Sequence, residues 1–133
     1  MSHQTEFLDL DDIVELARGL LGDPPPIRDI GLLGSAAARP QTTAFGEDAY
    51  PDLLTKAAAL LQSIVNNHAL VDGNKRLGWL ATAVFLELNG VEASLACEDD
   101  VYEFVVWIAA SNPDLDASTA RLRRLVPPEN QHG

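Results

Sequence analysis

His68-Ala-Leu-Val-Asp-Gly-Asn-Lys-Arg76 runs without a break into Leu77-Gly-Trp-Leu-Ala-Thr-Ala-Val-Phe-Leu-Glu-Leu88. In the second segment only Thr82 and Glu87 are clearly polar. A helix that is apolar nearly all round belongs inside a protein. This one falls short of the roughly 20 apolar residues that a membrane span requires. The two segments therefore read as a polar loop opening onto the N-terminus of a buried central helix, over 74–88.

The first turn of a helix leaves backbone N–H groups unpaired and carries partial positive charge, so it attracts anions. Gly73 lets the backbone turn or approach a ligand closely. Asp72 or Asn74 is placed to cap the helix. Lys75 and Arg76 then fall in or near the first turn, where each cation is disfavoured by roughly 0.3–1 kcal/mol. A sequence that breaks a local rule in this way often does so at a functional site. A bound polyanion removes the conflict, and phosphate suits it best, gripped by the arginine fork and the lysine point charge. Asp72 suits Mg²⁺, which takes one or two carboxylates together with phosphate oxygens. His68 suits proton transfer near neutral pH. Asn74 can donate to a phosphate oxygen or brace the loop.

On these residues the stretch resembles the signature of the Fic/Doc family, His-Pro-Phe-x-(Asp/Glu)-Gly-Asn-(Gly/Lys)-Arg. The match is His68, Asp72, Gly73, Asn74, Lys75 and Arg76; the departures are Ala69 for proline and Leu70 for phenylalanine. Lysine at position 75 is the Doc form, whereas the nucleotide-transferring Fic enzymes carry glycine there. The similarity spreads through Arg28-Asp-Ile-Gly-Leu-Leu and Ala38-Arg-Pro-Gln to Asn89-Gly90, over about 8–95.

The remaining chain is consistent with one helical domain over 1–133, with its core at about 8–126 and a loose tail at 127–133. At 133 residues and 47% hydrophobic content it can bury a real core. Its net charge of −11 speaks against tracking nucleic-acid backbones or anionic membranes. It leaves nucleotide binding open, because screening acts over about 8 Å at physiological salt. The single cysteine, Cys97, permits no internal disulfide and reads as a small buried or half-buried residue. No basic segment leads into an apolar run at the N-terminus, so a cytosolic home is expected.

Helical spacing of Leu10, Ile13, Val14, Ala17, Leu20 and Leu21 predicts a first helix, stopped by Gly22 and Pro24-Pro-Pro26. The prolines read as a stiff connector. Asp29 is expected to cap a second helix over 31–38. The string Gly31-Leu-Leu-Gly-Ser35 lacks the Gly-Lys-Ser/Thr of a P-loop. Residues 41–49 lose the helical period and favour extended backbone with a turn at Gly46. Pro51 is expected in the first turn of a third helix, with Leu53, Leu54, Ala57, Ala58, Leu61, Ile64 and Val65 inward. After the central helix and Asn89-Gly90, a short extended piece is expected at 91–95. A fifth helix follows at 99–110, then a last one at 118–126 capped by Asp116 or Ser118. Trp79 and Trp107 read as core residues, and His3 and His132 as incidental. The fold class is all-α.

The resemblance implies more. It implies a Fic/Doc-like bundle with a short flap before the third helix, in which Thr43, Ala44 and Phe45 dock the target segment. It implies ATP and Mg²⁺, with His68 as base, Asp72 holding the metal, and Gly73, Asn74, Lys75 and Arg76 around the phosphates. Asn74 joins His68 and Asp72 as a catalytic candidate. The Doc form is a toxin of a toxin–antitoxin pair that moves the γ-phosphate of ATP to a threonine of elongation factor Tu and stops translation. Its partner is a Phd-like antitoxin whose disordered C-terminal segment folds onto the toxin. Two alternatives stand beside this. One is a Fic-type AMP transferase, which Lys75 disfavours. The other is an inert binding protein, motivated by Ala69 and Leu70.

Overall fold

In the computed structural model, which describes residues 4–128, six helices carry most of the chain. They are α1 (Leu10–Leu21), α2 (Ile30–Ala38), α3 (Leu53–Asn67), α4 (Asn74–Leu88), α5 (Glu98–Ser111) and α6 (Leu115–Leu125). Two strands, β1 (Thr43–Ala44) and β2 (Glu47–Asp48), pair antiparallel between α2 and α3. The expected all-α class is what the structure shows. The tail beyond Pro128, His3 and His132 lie outside the described residues.

The deepest packing is between α3 and α4, and it depends on a missing side chain. A Cβ at Gly78 would sit 2.8 Å from Val65 Cγ2 and 3.2 Å from Leu61 Cδ1, so only glycine lets the two helices come this close. Thr82, buried in α4, donates its hydroxyl to the Gly78 carbonyl at 2.7 Å and so brings no unpaired polar atom into the core. Helix α3 is buried continuously from Lys56 to Val65, because α2, α4, α5 and α6 all pack on it. Helix α4 is less enclosed than its composition suggests. Leu77, Ala81, Phe85 and Leu86 are buried, but Trp79, Leu80, Ala83 and Val84 are half-buried along one flank.

Side-chain caps hold the N-termini of α1, α2 and α6. Asp9 and Asp12 form a reciprocal capping box on α1, and Gly22 ends that helix at φ 108°. Asp29 caps α2, as expected, through the Leu32 N–H at 3.1 Å. At the far end of α4, Asn89 ties in the N-terminal segment. Its carboxamide accepts from the Glu6 N–H and donates to the Glu6 and Phe85 carbonyls, each at 2.8 Å.

Several boundary expectations fail for identifiable reasons. Helix α3 starts at Leu53 with Asp52 as N-cap, so Pro51 lies before its first turn and not in it. Residues 91–95 are not extended: Val91 and Ala93 turn inward, and Ala93–Leu95 forms a 3-10 turn stitched to Glu87 through the Ser94 N–H at 2.9 Å. Helix α6 starts three residues earlier than expected. Its cap is Asp114, which accepts from the Ala117 N–H at 2.8 Å, and neither Asp116 nor Ser118 serves. Ser118 is instead buried, accepting from Gln62 Nε2 at 2.8 Å and donating to the Asp114 carbonyl. Cys97 is exposed at the start of α5, against the expectation of burial. Trp107 and Trp79 pack on the core but are only half-buried; Trp107 stacks on Phe104 and lies under Arg121 at 4.5 Å.

Candidate functional site

The loop between α3 and α4 is built backward from its backbone. Helix α3 stops because His68 takes the left-handed conformation, φ 54° and ψ 44°. The next residues are sewn to the segment leading into α2. The N–H groups of Arg28 and Asp29 both donate to the Ala69 carbonyl, at 2.8 and 3.0 Å, and the Val71 N–H donates to the Pro26 carbonyl at 2.9 Å. Ile27 and Leu70 face each other in an antiparallel bridge. The Arg28 guanidinium donates to the His68 carbonyl. Ala69 and Leu70 are each 1% exposed, so the two departures from the motif stand on the buried side of the loop. Leu70 fills the apolar place beneath it.

The opposite side of the loop is open. His68, Asp72, Lys75 and Arg76 are all exposed. Gly73 is the N-cap of α4 at φ 90°, and no side chain caps that end. The expectation that Asp72 or Asn74 caps α4 is corrected. Asp72 Oδ1 accepts from the Gly73 N–H at 2.9 Å, one residue too early, and Asn74 turns back to Leu70 with two hydrogen bonds of 3.0 Å. No side chain caps this end, which leaves the first-turn N–H groups of Asn74, Lys75 and Arg76 without a side-chain partner, the arrangement that suits an anion. A Cβ at Gly73 would stand 2.8 Å from both Leu21 methyl groups, so the half-buried Leu21 side chain at the end of α1 packs against the turn.

Lys75 and Arg76 do not share all their surroundings with His68 and Asp72. They line one end of an apolar groove of about 660 Å³ between α1, α4 and α5, together with Leu20, Trp79, Tyr102 and Val105. His68 and Asp72 lie on the loop outside that groove. A second, more polar hollow of about 510 Å³ runs from Thr42 and Arg39 to Ser63 and Asn67, ending beside His68 in the chain. It joins the end of α3 to the base of the hairpin.

That hairpin, β1 to β2, pairs Thr43 with Asp48 and Ala44 with Glu47 around Phe45-Gly46. Both turn residues have positive φ, 54° and 80°, as a two-residue hairpin turn requires. Thr43, Ala44 and Phe45 are exposed, and Phe45 is fully so at the tip.

Three cations gain a structural role that the sequence reading does not give them: Arg28 at the His68 carbonyl, Arg39 and Lys56. Arg39 donates to the Ala59 carbonyl at 3.2 Å, to Gln62 at 3.3 Å and to Ser63 at 3.1 Å, and lies over the Tyr50 ring. Lys56 is 2% exposed. A lysine set between Leu53, Leu54 and Ala57, Ala58 in an apolar stripe was the available signal.

Mg²⁺ fits a site of this kind. Asp72 is exposed and spends only Oδ1 on its neighbour. No group of three or more His, Cys, Asp or Glu gathers among the described residues. A lone carboxylate that shares its cation with phosphate oxygens is the usual Mg²⁺ arrangement, in contrast to an all-protein cage.

Comparison with known proteins adds two findings. The model of the Fic/DOC family matches residues 7–86. The chain is also similar to a protein named Toxin Doc from Mycolicibacterium smegmatis (strain ATCC 700084 / mc(2)155). The two are 48% identical over 121 residues, which covers 89% of this chain and 92% of that one.

Proposed function

We propose that this chain, which belongs to the Fic/DOC family, is a Doc-like toxin of a toxin–antitoxin pair that transfers the γ-phosphate of ATP to a threonine of elongation factor Tu. The observation that carries the reading is the start of α4: an end with no side-chain cap, whose exposed first turn holds two cations, Lys75 and Arg76. Triphosphate on those N–H groups turns an electrostatic conflict into a binding site. The 48% identity to a protein named Toxin Doc supports the Doc form, as does lysine at position 75.

The chemistry assigns one task to each residue. The His68 imidazole accepts the proton of the target hydroxyl as its oxygen attacks the γ-phosphorus. The bond from that phosphorus to the bridging oxygen breaks, and ADP leaves with the electron pair. Asp72 holds Mg²⁺, which, when bound, offsets charge on the phosphates. The N–H groups of the first turn, with Lys75 and Arg76, hold the phosphate chain while charge shifts onto the leaving oxygen. Asn74 keeps the loop in shape through Leu70. This division of labour is positioning plus electrostatics, which is what phosphoryl transfer asks of a protein. The hairpin at 43–48 presents the target segment, with Phe45 as its exposed contact.

An antitoxin of Phd type fits the groove beside the site. Its floor is apolar, Lys75 and Arg76 stand at one end, and Tyr102 on its wall is 70% exposed. Apolar surface of that kind is a docking place for an amphipathic segment. The net charge of −11 favours a segment carrying Lys or Arg. No helix among the described residues is long and apolar enough to cross a membrane, and the proposed target and partner support a cytoplasmic location.

The deciding experiment incubates purified elongation factor Tu with this chain, Mg²⁺ and ATP labelled separately on the α- or the γ-phosphate. Label reaching the factor from the γ-position, on a threonine, is the expected result. Label from the α-position only would instead make the chain an AMP transferase. No label from either would remove this target.

A further inference from the structure

The hairpin has almost nothing apolar to hold it. Every residue from 41 to 49 is exposed, and a pair of two-residue strands is not stable by itself. Its own closing bonds are few, with the Ala49 N–H to the Thr42 carbonyl at 2.8 Å as the outermost. Yet it is anchored on the core, through a side chain that reaches out of the buried helix. Lys56 lies on α3, and its side chain is 3% exposed. Its Nζ donates to Asp48 Oδ2 at 3.1 Å and to the Tyr50 carbonyl. Asp48 belongs to β2, directly opposite Thr43. Tyr50 lies two residues on, and its ring is covered by the Arg39 guanidinium, itself fixed to α3 through Ala59, Gln62 and Ser63.

A buried ammonium is costly unless it is paired and hydrogen-bonded. The same requirement works on the partners: Lys56 has no second way to satisfy its charge without leaving the core, so Asp48 and Tyr50 are drawn to a fixed place. An exposed lysine could let go at little cost; this one cannot.

We infer that Lys56 is a positioning residue, whose buried ammonium sets the pose of the 43–48 hairpin and thereby the place of the target segment relative to His68. The inference rests on the target-presenting role given to the hairpin above. Lys56 touches neither nucleotide nor target in this scheme. Its effect falls on the protein substrate and spares ATP.

The test compares the wild-type chain with Lys56→Met, Asp48→Asn and Lys56→Arg in two measurements. In amide hydrogen exchange, Lys56→Met and Asp48→Asn should speed exchange across 43–49 by at least about tenfold, while α4 stays protected. Lys56→Arg, which keeps a charge and several donors, should restore much of the protection. In steady-state transfer, KM for the protein target should rise by about tenfold with KM for ATP unchanged, as expected when only the docking element is loosened. Unchanged exchange at 43–49 in Lys56→Met would overturn the inference. So would exchange that rises equally in α4, or a KM for ATP that rises as far as that for the target, since each marks a general loss of structure. If the wild-type chain transfers nothing to elongation factor Tu, that target falls. Hydrogen exchange then decides alone whether Lys56 holds the hairpin.

Discussion

The Asn74 carboxamide is paired with both backbone groups of Leu70: Oδ1 accepts from the Leu70 N–H and Nδ2 donates to the Leu70 carbonyl, each at 3.0 Å. A side chain thus plays the part of a neighbouring strand. The first residue of α4 closes the loop that holds His68 at one end and Asp72 near the other.

Replacing Asn74 by alanine strands both groups of a residue that is 1% exposed. A buried donor or acceptor left unpaired costs about 1–3 kcal/mol. Asn74→Ala should lose stability in that range by urea denaturation and lower the affinity for Mg–ATP as the loop loosens. Asn74→Asp keeps the acceptor only and should fall between the two. An Asn74→Ala chain as stable as the wild type would show that the clasp carries no energy.

The loop has a second support, Leu70 itself. Cutting a fully buried leucine to alanine costs about 2–5 kcal/mol, so Leu70→Ala should show that loss and a weaker loop. Leu70→Phe restores the residue the family signature carries, but this core is packed around leucine. Overpacking costs about 1–3 kcal/mol, and that variant should be no more stable than the wild type. Greater stability for Leu70→Phe would mean the space under the loop is larger than the packing indicates.

The pattern of what was legible follows from what each residue does. The apolar run 77–88 and the motif before it disclosed the central helix, its N-terminus and the loop, because those depend on period and local chemistry. The caps were less legible. Asp114, Asp116 and Ser118 are all acceptable caps in isolation, and the choice fell to Asp114 because Gln62 on α3 claims the Ser118 hydroxyl. Extended backbone at 91–95 lost to a turn because Glu87 reaches forward to Ser94. The flank of α4 left half-buried at Trp79 and Leu80 was hidden by composition: an apolar face reads the same whether a helix or an open groove lies against it. The apolar stripe around Lys56 marks it as buried, but its partners Asp48 and Tyr50, like the Tyr50 ring under Arg39, are contacts that no spacing rule contains.

Gly73 offers a sharper check on the turn. It combines φ 90° with the Leu21 side chain pressed against the place a Cβ would occupy, at 2.8 Å. Left-handed strain in a residue other than glycine costs about 1–3 kcal/mol, and displacing Leu21 adds to it. Gly73→Ala should therefore destabilise the chain and weaken Mg–ATP binding in calorimetry. Leu21→Ala in the same chain should recover part of the stability lost to the clash. Full nucleotide affinity in Gly73→Ala would separate the turn from the phosphate site.

The role given to Mg²⁺ predicts that chelation with EDTA stops transfer and that added Mg²⁺ restores it. Asp72 is exposed, and asparagine keeps the Oδ1 that accepts from the Gly73 N–H. Asp72→Asn should therefore leave stability within about 0.5 kcal/mol, the usual range for surface changes. Its transfer rate should drop steeply and need more Mg²⁺ for half-maximal activity. A normal Mg²⁺ requirement in Asp72→Asn would move the metal to another residue.

His68 is the base in this scheme, and its backbone conformation dictates how to test it. At φ 54° an alanine is strained, so His68→Ala mixes a chemical change with a structural one. Asparagine tolerates the left-handed region far better and cannot accept the proton at neutral pH. His68→Asn should unfold at the same urea concentration as the wild type and bind Mg–ATP with similar affinity. Its transfer to elongation factor Tu should fall about 10²–10⁴-fold, the range carried by general-base catalysis, and growth arrest should disappear with it. Arrest that persists undiminished in His68→Asn would mean the chain acts by binding its target, and the open loop of α4 would then be a docking surface without chemistry.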